Sequence, residues 1–242
     1  MIRSTLTALA FLAAASTAQA AAVVPQYTTF GNLAGATFGG SGIPTDPTAI
    51  TTANGLTLGL TAFGRYSNPA LSNNGAGVFT ASPGANDGLE PGNPHPVGAT
   101  WSFGFYINSV SAALERFEID LFYDLDPAIG NDVSTYGRID IDNFLIGGGT
   151  TFLVQNSQNL NFSFLSAGIP GLVFAPTSAP FNPNAAGEYG LVLRVSERGV
   201  NGTELATSAI LVNVNGVPEP GSLALAGLAL LGAFGIRRQR RG

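Results

Sequence analysis

The chain contains no cysteine, no lysine and a single histidine among its 242 residues. The first absence removes disulfides, thiolate nucleophiles and cysteine-based metal sites together. A domain of this size can bury enough apolar surface to do without cross-links, so stability must come from the core. The lone histidine, His95, sits in the stiff run Asn93-Pro94-His95-Pro96. A multi-histidine metal site is excluded by the count. A histidine-dependent triad would have to use His95, and no G-x-S-x-G elbow accompanies it. It reads as a loop histidine.

Charge is scarce as well: only 10% of residues are charged, and all ten basic residues are arginine. Between residues 21 and 216, five arginines face fourteen acidic residues, a net charge of −9. Such a surface repels nucleic acid and anionic lipid, and it favours solubility or divalent cations.

Long hydrophobic runs occur only near the two ends. Arg3, the apolar stretch Leu6 to Ala15 and the small-x-small triplet Ala18-Gln19-Ala20 have the layout of a secretory signal, expected as a helix over residues 1–20. The stretch is too short to cross about 30 Å of hydrocarbon.

Between these ends the helical period is nearly absent and period two is frequent. Leu56, Leu58, Leu60 and Ala62 alternate with Thr57, Gly59, Thr61 and Phe63. The same alternation runs through Trp101 to Asn108, Phe117 to Leu125, Leu160 to Phe164, Tyr189 to Val195 and Ile210 to Val214. Each predicts a half-buried strand. Turn-rich stretches such as Asn73-Asn74-Gly75 and Glu90-Pro91-Gly92 separate them. About nine to eleven short strands predict one all-β domain over 21–216, an antiparallel β-sandwich or jelly roll. Residues 23–55 suggest one edge strand with long loops. Tyr189 to Ser196 and Leu205 to Val214 predict a closing hairpin with a loop from Glu197 to Thr203.

The stretch Phe117 to Phe144, FEIDLFYDLDPAIGNDVSTYGRIDIDNF, carries the densest chemistry. Glu118, Asp120, Asp124 and Asp126 fall on one face of the first strand; Arg138, Asp140 and Asp142 fall on the polar face of the second. If the two pair with apolar faces aligned, three registers suggest themselves. One sets Asp126 against Arg138 and Asp124 against Asp140, the second Asp124 against Asp142, the third Asp120 against Asp142. Each gathers carboxylates, and like charges directly opposite are destabilising. Side chains splay into water, Arg116 and Arg138 compensate, or a cation sits there. Asp124, Asp126, Asp132, Asp140 and Asp142, with Asn131, supply hard oxygen ligands suited to Ca²⁺, though without EF-hand spacing. Two carboxylates could also serve a glycosidase. Trp101, Tyr106, Tyr123 and Tyr136 are candidates to stack on sugars, against a core role. The sequons Asn161-Phe162-Ser163 and Asn201-Gly202-Thr203 read as chance matches.

The chain ends in VPEPGSLALAGLALLGAFGIRRQRRG. Ser222 to Ile236 is fifteen apolar or small residues, about 22 Å as a helix and short for a permanent anchor. Arg237, Arg238, Arg240 and Arg241 hold the cytoplasmic side. Pro218-Glu219-Pro220 keeps the exit face extended and open to an enzyme. This tripartite tail, over 217–242, closely resembles the PEP-CTERM sorting signal, carried by Val217, Pro218, Glu219, Pro220, the apolar run and the arginines. The same tail is also labelled an ice-binding protein C-terminal domain, but the chain shows no repetitive Thr-x-Thr ice face. The resemblance implies export through signal peptidase, processing by the membrane protease exosortase, only transient membrane contact, and delivery to the cell surface or extracellular matrix. The sequence itself shows no catalytic motif, so no enzyme activity is expected and no cofactor is required, with Ca²⁺ the one candidate ligand.

Taken together, these features predict an exported structural or adhesive protein of the exopolysaccharide or biofilm layer. A Ca²⁺-assisted carbohydrate-binding module and a polysaccharide-acting hydrolase stand as alternatives.

Overall fold

A computed structural model of the chain describes residues 21–86, 97–145, 150–199 and 202–215. The expected signal helix over 1–20, the tail over 217–242 and His95 lie outside the described residues. Two sheets pack face to face. The first has strand order β1 (Thr29–Gly31), β2 (Thr48–Ala53), β3 (Leu56–Gly64), β8 (Trp101–Ser109), β11 (Leu153–Gln158). The second runs β12 (Val173–Phe174), β10 (Gly137–Asp140), β9 (Phe117–Tyr123), β13 (Gly187–Glu197), β14 (Glu204–Val214), β5 (Val78–Ala81), β4 (Ser72–Asn73). A small ribbon pairs β6 (Ala85–Asn86) with β7 (Gly98–Ala99). Ten of the strands have three residues or more, within the expected range, and the surplus consists of two-residue pairs. The described residues form an all-β sandwich, antiparallel everywhere except where β5 runs parallel to β14.

Alternation explains the two inner faces. Leu56, Leu58 and Leu60 of β3 and Phe103, Phe105 and Ile107 of β8 are buried against Leu121 of β9, Leu191 and Leu193 of β13 and Ile210 and Val212 of β14. Each such side chain taken from water contributes about 1.5–3 kcal/mol, which is how a cysteine-free domain holds together. Trp101, Tyr189 and Phe181 close one end of the core, with ring centroids 5.2–6.4 Å apart. The closing hairpin falls where the sequence places it, with β13 and β14 paired along their length.

Two expectations are corrected. Residues 23–55 form two strands rather than one, and the segment between them covers the outer face of the first sheet. Phe38 is fully buried there against Gly104 of β8. Gln155 of β11 holds the covering segment by accepting from the backbone N–H groups of Thr37 and Phe38 at 2.8 and 2.9 Å. Leu160 to Phe164 is not a strand: β11 ends at Gln158, and a short helix α2 (Ser163–Ala167) follows.

The cause of that break is Asn159, buried and saturated with hydrogen bonds. Its Oδ1 accepts from the backbone N–H groups of Ala99 (2.9 Å) and Asn161 (3.1 Å). Its Nδ2 donates to the carbonyls of Ala99 and Trp101 and to Ser102 Oγ. A buried amide engaged this way ties β7, β8 and the post-β11 turn together, and its loss strands several polar groups. Asn159→Ala is expected to cost about 3 kcal/mol, read as a lower denaturation midpoint with an unchanged slope.

Candidate functional site

The acidic stretch builds one edge of the second sheet. β9 and β10 pair with Tyr123 opposite Gly137, Arg138 opposite Phe122, Ile139 opposite Leu121 and Asp140 opposite Asp120. Apolar faces align as expected, but none of the three anticipated registers occurs. The reason is a close approach. The Tyr123 ring lies so near Gly137 that a Cβ there would overlap it, so a residue without a side chain must stand at that position. The Tyr123 hydroxyl then donates to the Leu165 carbonyl at 2.7 Å, locking the ring inside the sandwich.

This register makes Asp120 and Asp140 neighbours on the outer face. Compensation comes from arginine. Arg138 reaches Asp120 at 2.8 Å and Asp140 at 3.9 Å, and its guanidinium lies 4.3 Å over the Phe174 ring. Burial nevertheless raises the pKa of both carboxyls, with Arg138 pulling against it. Asp140 also caps the four-residue helix α1 (Ile141–Phe144) by accepting from Asn143 N at 3.1 Å. Asp142 does not share the outer face. It is buried, accepts from Ile119 N at 2.9 Å and pairs with Arg198 at 2.6 Å. The second compensating cation is therefore Arg198, rather than Arg116.

Asp124 also leaves the expected face. β9 ends at Tyr123, and Asp124 turns inward to 3% exposure. Its Oδ1 accepts from Asp126 N at 2.9 Å and its Oδ2 accepts from Asn131 Nδ2 at 3.0 Å. Burial pushes its pKa up to about 6 despite these bonds. Asp126 caps Ala128 N at 3.0 Å, and Asp132 accepts from Ser134 N at 2.8 Å, which lowers its own pKa. Of the five carboxylates proposed from sequence as calcium ligands, Asp140 and Asp142 lie together at the start of α1, and Asp124 and Asp126 lie together after the end of β9. Four residues of strand separate Asp124 from the Asp120–Asp140 pair, about 13 Å, and N–H donors already hold the Asp124 oxygens. Among the described residues no group of three or more acidic or histidine side chains is arranged to hold a metal ion.

The aromatic candidates are mostly core. Trp101, Tyr123 and Tyr136 are buried, and Tyr106 packs beside Phe38. What the sequence reading misses is a cleft of about 470 Å³ at the end of β3, around Arg65 and Tyr66. Its one local signal is Arg65 itself, one of five basic residues between 21 and 216, next to Tyr66.

Residues 216–241 match the model of the PEP-CTERM protein-sorting motif. The chain carries an exosortase sorting signal. Val217, Pro218, Glu219, Pro220, Arg237, Arg238, Arg240 and Arg241 all lie within the matched span. The signal marks the chain for export and for surface or extracellular placement, with an exosortase as its processing partner. No curated protein and no solved structure matches the chain. No helix among the described residues is long and apolar enough to cross a membrane, and the apolar run of the tail lies outside them.

The burial of Asp124 has a consequence for stability. Its folded pKa of about 6 stands above the ordinary 3.8, so between these values the folded state keeps a proton that the unfolded chain has released. The contribution is complete below pH 3.8 and is lost as pH rises through 6. Asp120 and Asp140 shift in the same direction. The melting temperature of the protein is expected to fall across this window, and Asp124→Asn to flatten the fall by about 1–3 kcal/mol. An unchanged pH profile in the variant would contradict the assignment.

Proposed function

We propose that the β-sandwich is a structural or adhesive component of the exopolysaccharide or biofilm layer to which its sorting signal delivers it. The observation that carries this reading is how the signal joins the fold. β14, the last strand among the described residues, ends at Val214 just before the matched segment in the chain, and it lies inside its sheet. β13 pairs along it on one side and β5 runs parallel to Leu211–Val214 on the other. Asn215 N still donates to the Ala81 carbonyl at 3.1 Å. A pull applied at this end loads a row of hydrogen bonds in shear, so they must break together. A strand at a sheet edge would peel one bond at a time.

The rest of the composition suits the same role. A net charge of −9 between residues 21 and 216 opposes adsorption to anionic lipid and keeps the protein soluble. The absence of cysteine makes the fold independent of redox conditions. In this reading the protein works without turnover and without a cofactor.

Deleting the gene in a producing strain is expected to weaken matrix cohesion, measured by shear resistance of the surface-grown layer. The intact chain restores it. A chain with Pro218→Ala and Pro220→Ala is expected to stay with the cell envelope and fail to restore it. A deletion strain with unaltered cohesion would overturn the reading.

A further inference from the structure

The two sheets do not close fully on each other at the edge where β11 faces β10 and β12. On β11, Val154, Asn156 and Gln158 pair with Ile107, Phe105 and Phe103 of β8, which are buried in the inner face. Residues directly opposite share a face, so these three also point between the sheets. Where β8 brings two phenylalanines and an isoleucine, the edge strand brings one small apolar residue and two amides. Opposite stand Ile139 of β10, Val173 of β12, Ile141 and Phe144 of α1, Phe164 of α2, and Ile169. The side chains of β11 do not fill the space, and a cavity of about 380 Å³ is left.

Protein interiors hold few voids larger than a water molecule, and a volume of about 380 Å³ lies in the range of small-molecule sites. The lining is apolar apart from the amides on the β11 side, and among the described residues none that lines it carries a charge. Phe144 is 54% exposed, a large ring left half in water beside the cavity. Of the amides, Gln155 is already committed to the Thr37 and Phe38 N–H groups. Asn156 accepts from Ser157 N through Oδ1 at 2.7 Å, which leaves its Nδ2 as a donor. Gln158, half-buried, adds a second neutral amide.

We infer that this cavity takes a single alkyl chain with an uncharged polar head. The volume holds roughly a dozen methylene-sized groups, at about the 30 Å³ that a water molecule occupies. Water itself gains little there, because apolar cavities stay dry and take apolar guests. The amides of Asn156 and Gln158 meet a neutral head such as a hydroxyl, ester or glycoside. An ionised head finds no cation in the lining, and anionic lipid is opposed by the net charge of −9 between residues 21 and 216. The space lies between the sheets rather than on a flat face, so it admits a chain and not a folded surface. The inference is independent of the matrix reading and goes beyond it.

The protein is isolated from a producing strain after export and titrated with 1-hexanol, 1-octanol, 1-decanol and 1-dodecanol, each below its solubility limit. Binding is read by saturation-transfer NMR and by displacement of the neutral dye Nile red. Affinity is expected to rise about fourfold for each added methylene and to level off once the cavity is full. Decanoate at pH 8 is expected to bind about tenfold or more weakly than decanol. Val154→Trp, which fills the cavity from β11, is expected to weaken decanol binding about tenfold or more. Phe144→Ala removes a ring already half in water, so it is expected to weaken binding several-fold and leave the melting temperature unchanged. The variants share every other segment with the parent chain, so the difference between them reports the cavity alone. The inference is overturned if no alkanol binds, if affinity climbs with chain length without levelling off, if decanoate binds as well as decanol, or if both variants bind undiminished. Uptake only from phosphatidylcholine vesicles also overturns it and makes the site a membrane contact. A dimer that dissociates in Phe144→Ala and takes up no alkanol overturns it in favour of a second copy of the chain.

Discussion

Two tyrosines seated on two glycines set the geometry of the second sheet. The Tyr123 ring occupies the space where Gly137 would carry a Cβ, and the Tyr136 hydroxyl occupies the corresponding space at Gly190. Tyr123 thereby fixes how β10 pairs with β9, and Tyr136 braces the end of β10 against β13. Asp124 meets the same place, its own N–H donating to the Gly190 carbonyl at 3.0 Å. The register, the inward turn of Asp124 and the outward pair Asp120–Asp140 are all consequences of these contacts. A side chain at either glycine would have to displace a buried ring, and the cost would spread to every charge arranged around it.

The protein handles its acidic residues by placing them rather than by spacing them apart. Asp142 goes into the interior and is met there by Arg198, whose own side chain stays 49% exposed. Asp124 goes in without a cation and is left with a raised pKa. Asp120 shares Arg138 with Asp140, and on its other side stands Arg194 of β13, which pairs with Glu204 at 3.2 Å. Three of the five arginines between residues 21 and 216 are thus used to hold this one sheet together. Partly exposed ion pairs of this kind gain little net energy, but removing the arginine beside Asp142 would leave a buried carboxylate uncompensated. Their effect here is to make alternative pairings of the same strands unfavourable.

The sequence reading succeeds where one strand's own pattern carries the information. Alternation along β3, β8, β9, β13 and β14 identifies the inner faces, and the hairpin of β13 and β14 lies within two residues of its expected bounds. It fails where the deciding contact joins residues distant in the chain. Nothing near Gly137 announces that it lies under Tyr123, so the register is hidden. Leu160, Phe162 and Phe164 alternate over too short a span to separate a strand from a turn followed by a helix. Residues 33–43 pack on the outside of a sheet, against Gly104, where no amphipathic period is required. The cleft draws Tyr66 and Phe162 from positions far apart in sequence, and only Arg65 stands out beforehand. The sorting tail is the opposite case, a linear signal read in order, and it is visible without any fold.

The parallel pairing of β5 with β14 has a further consequence, one of timing. β5 lies early in the chain, and its inner neighbour is the last strand among the described residues. Until that strand arrives, β13 and β5 face a gap in the middle of the second sheet, and Phe79 and Leu191 lack the Ile210 and Val212 side chains that share their core. In a chain that emerges in order from its N-terminus, the second sheet therefore stays open until its late strand is available. It closes only when Leu211 to Val214 have emerged, with the sorting motif following immediately behind. The strand order itself thus sets the last step of sheet closure beside the sorting motif in the chain.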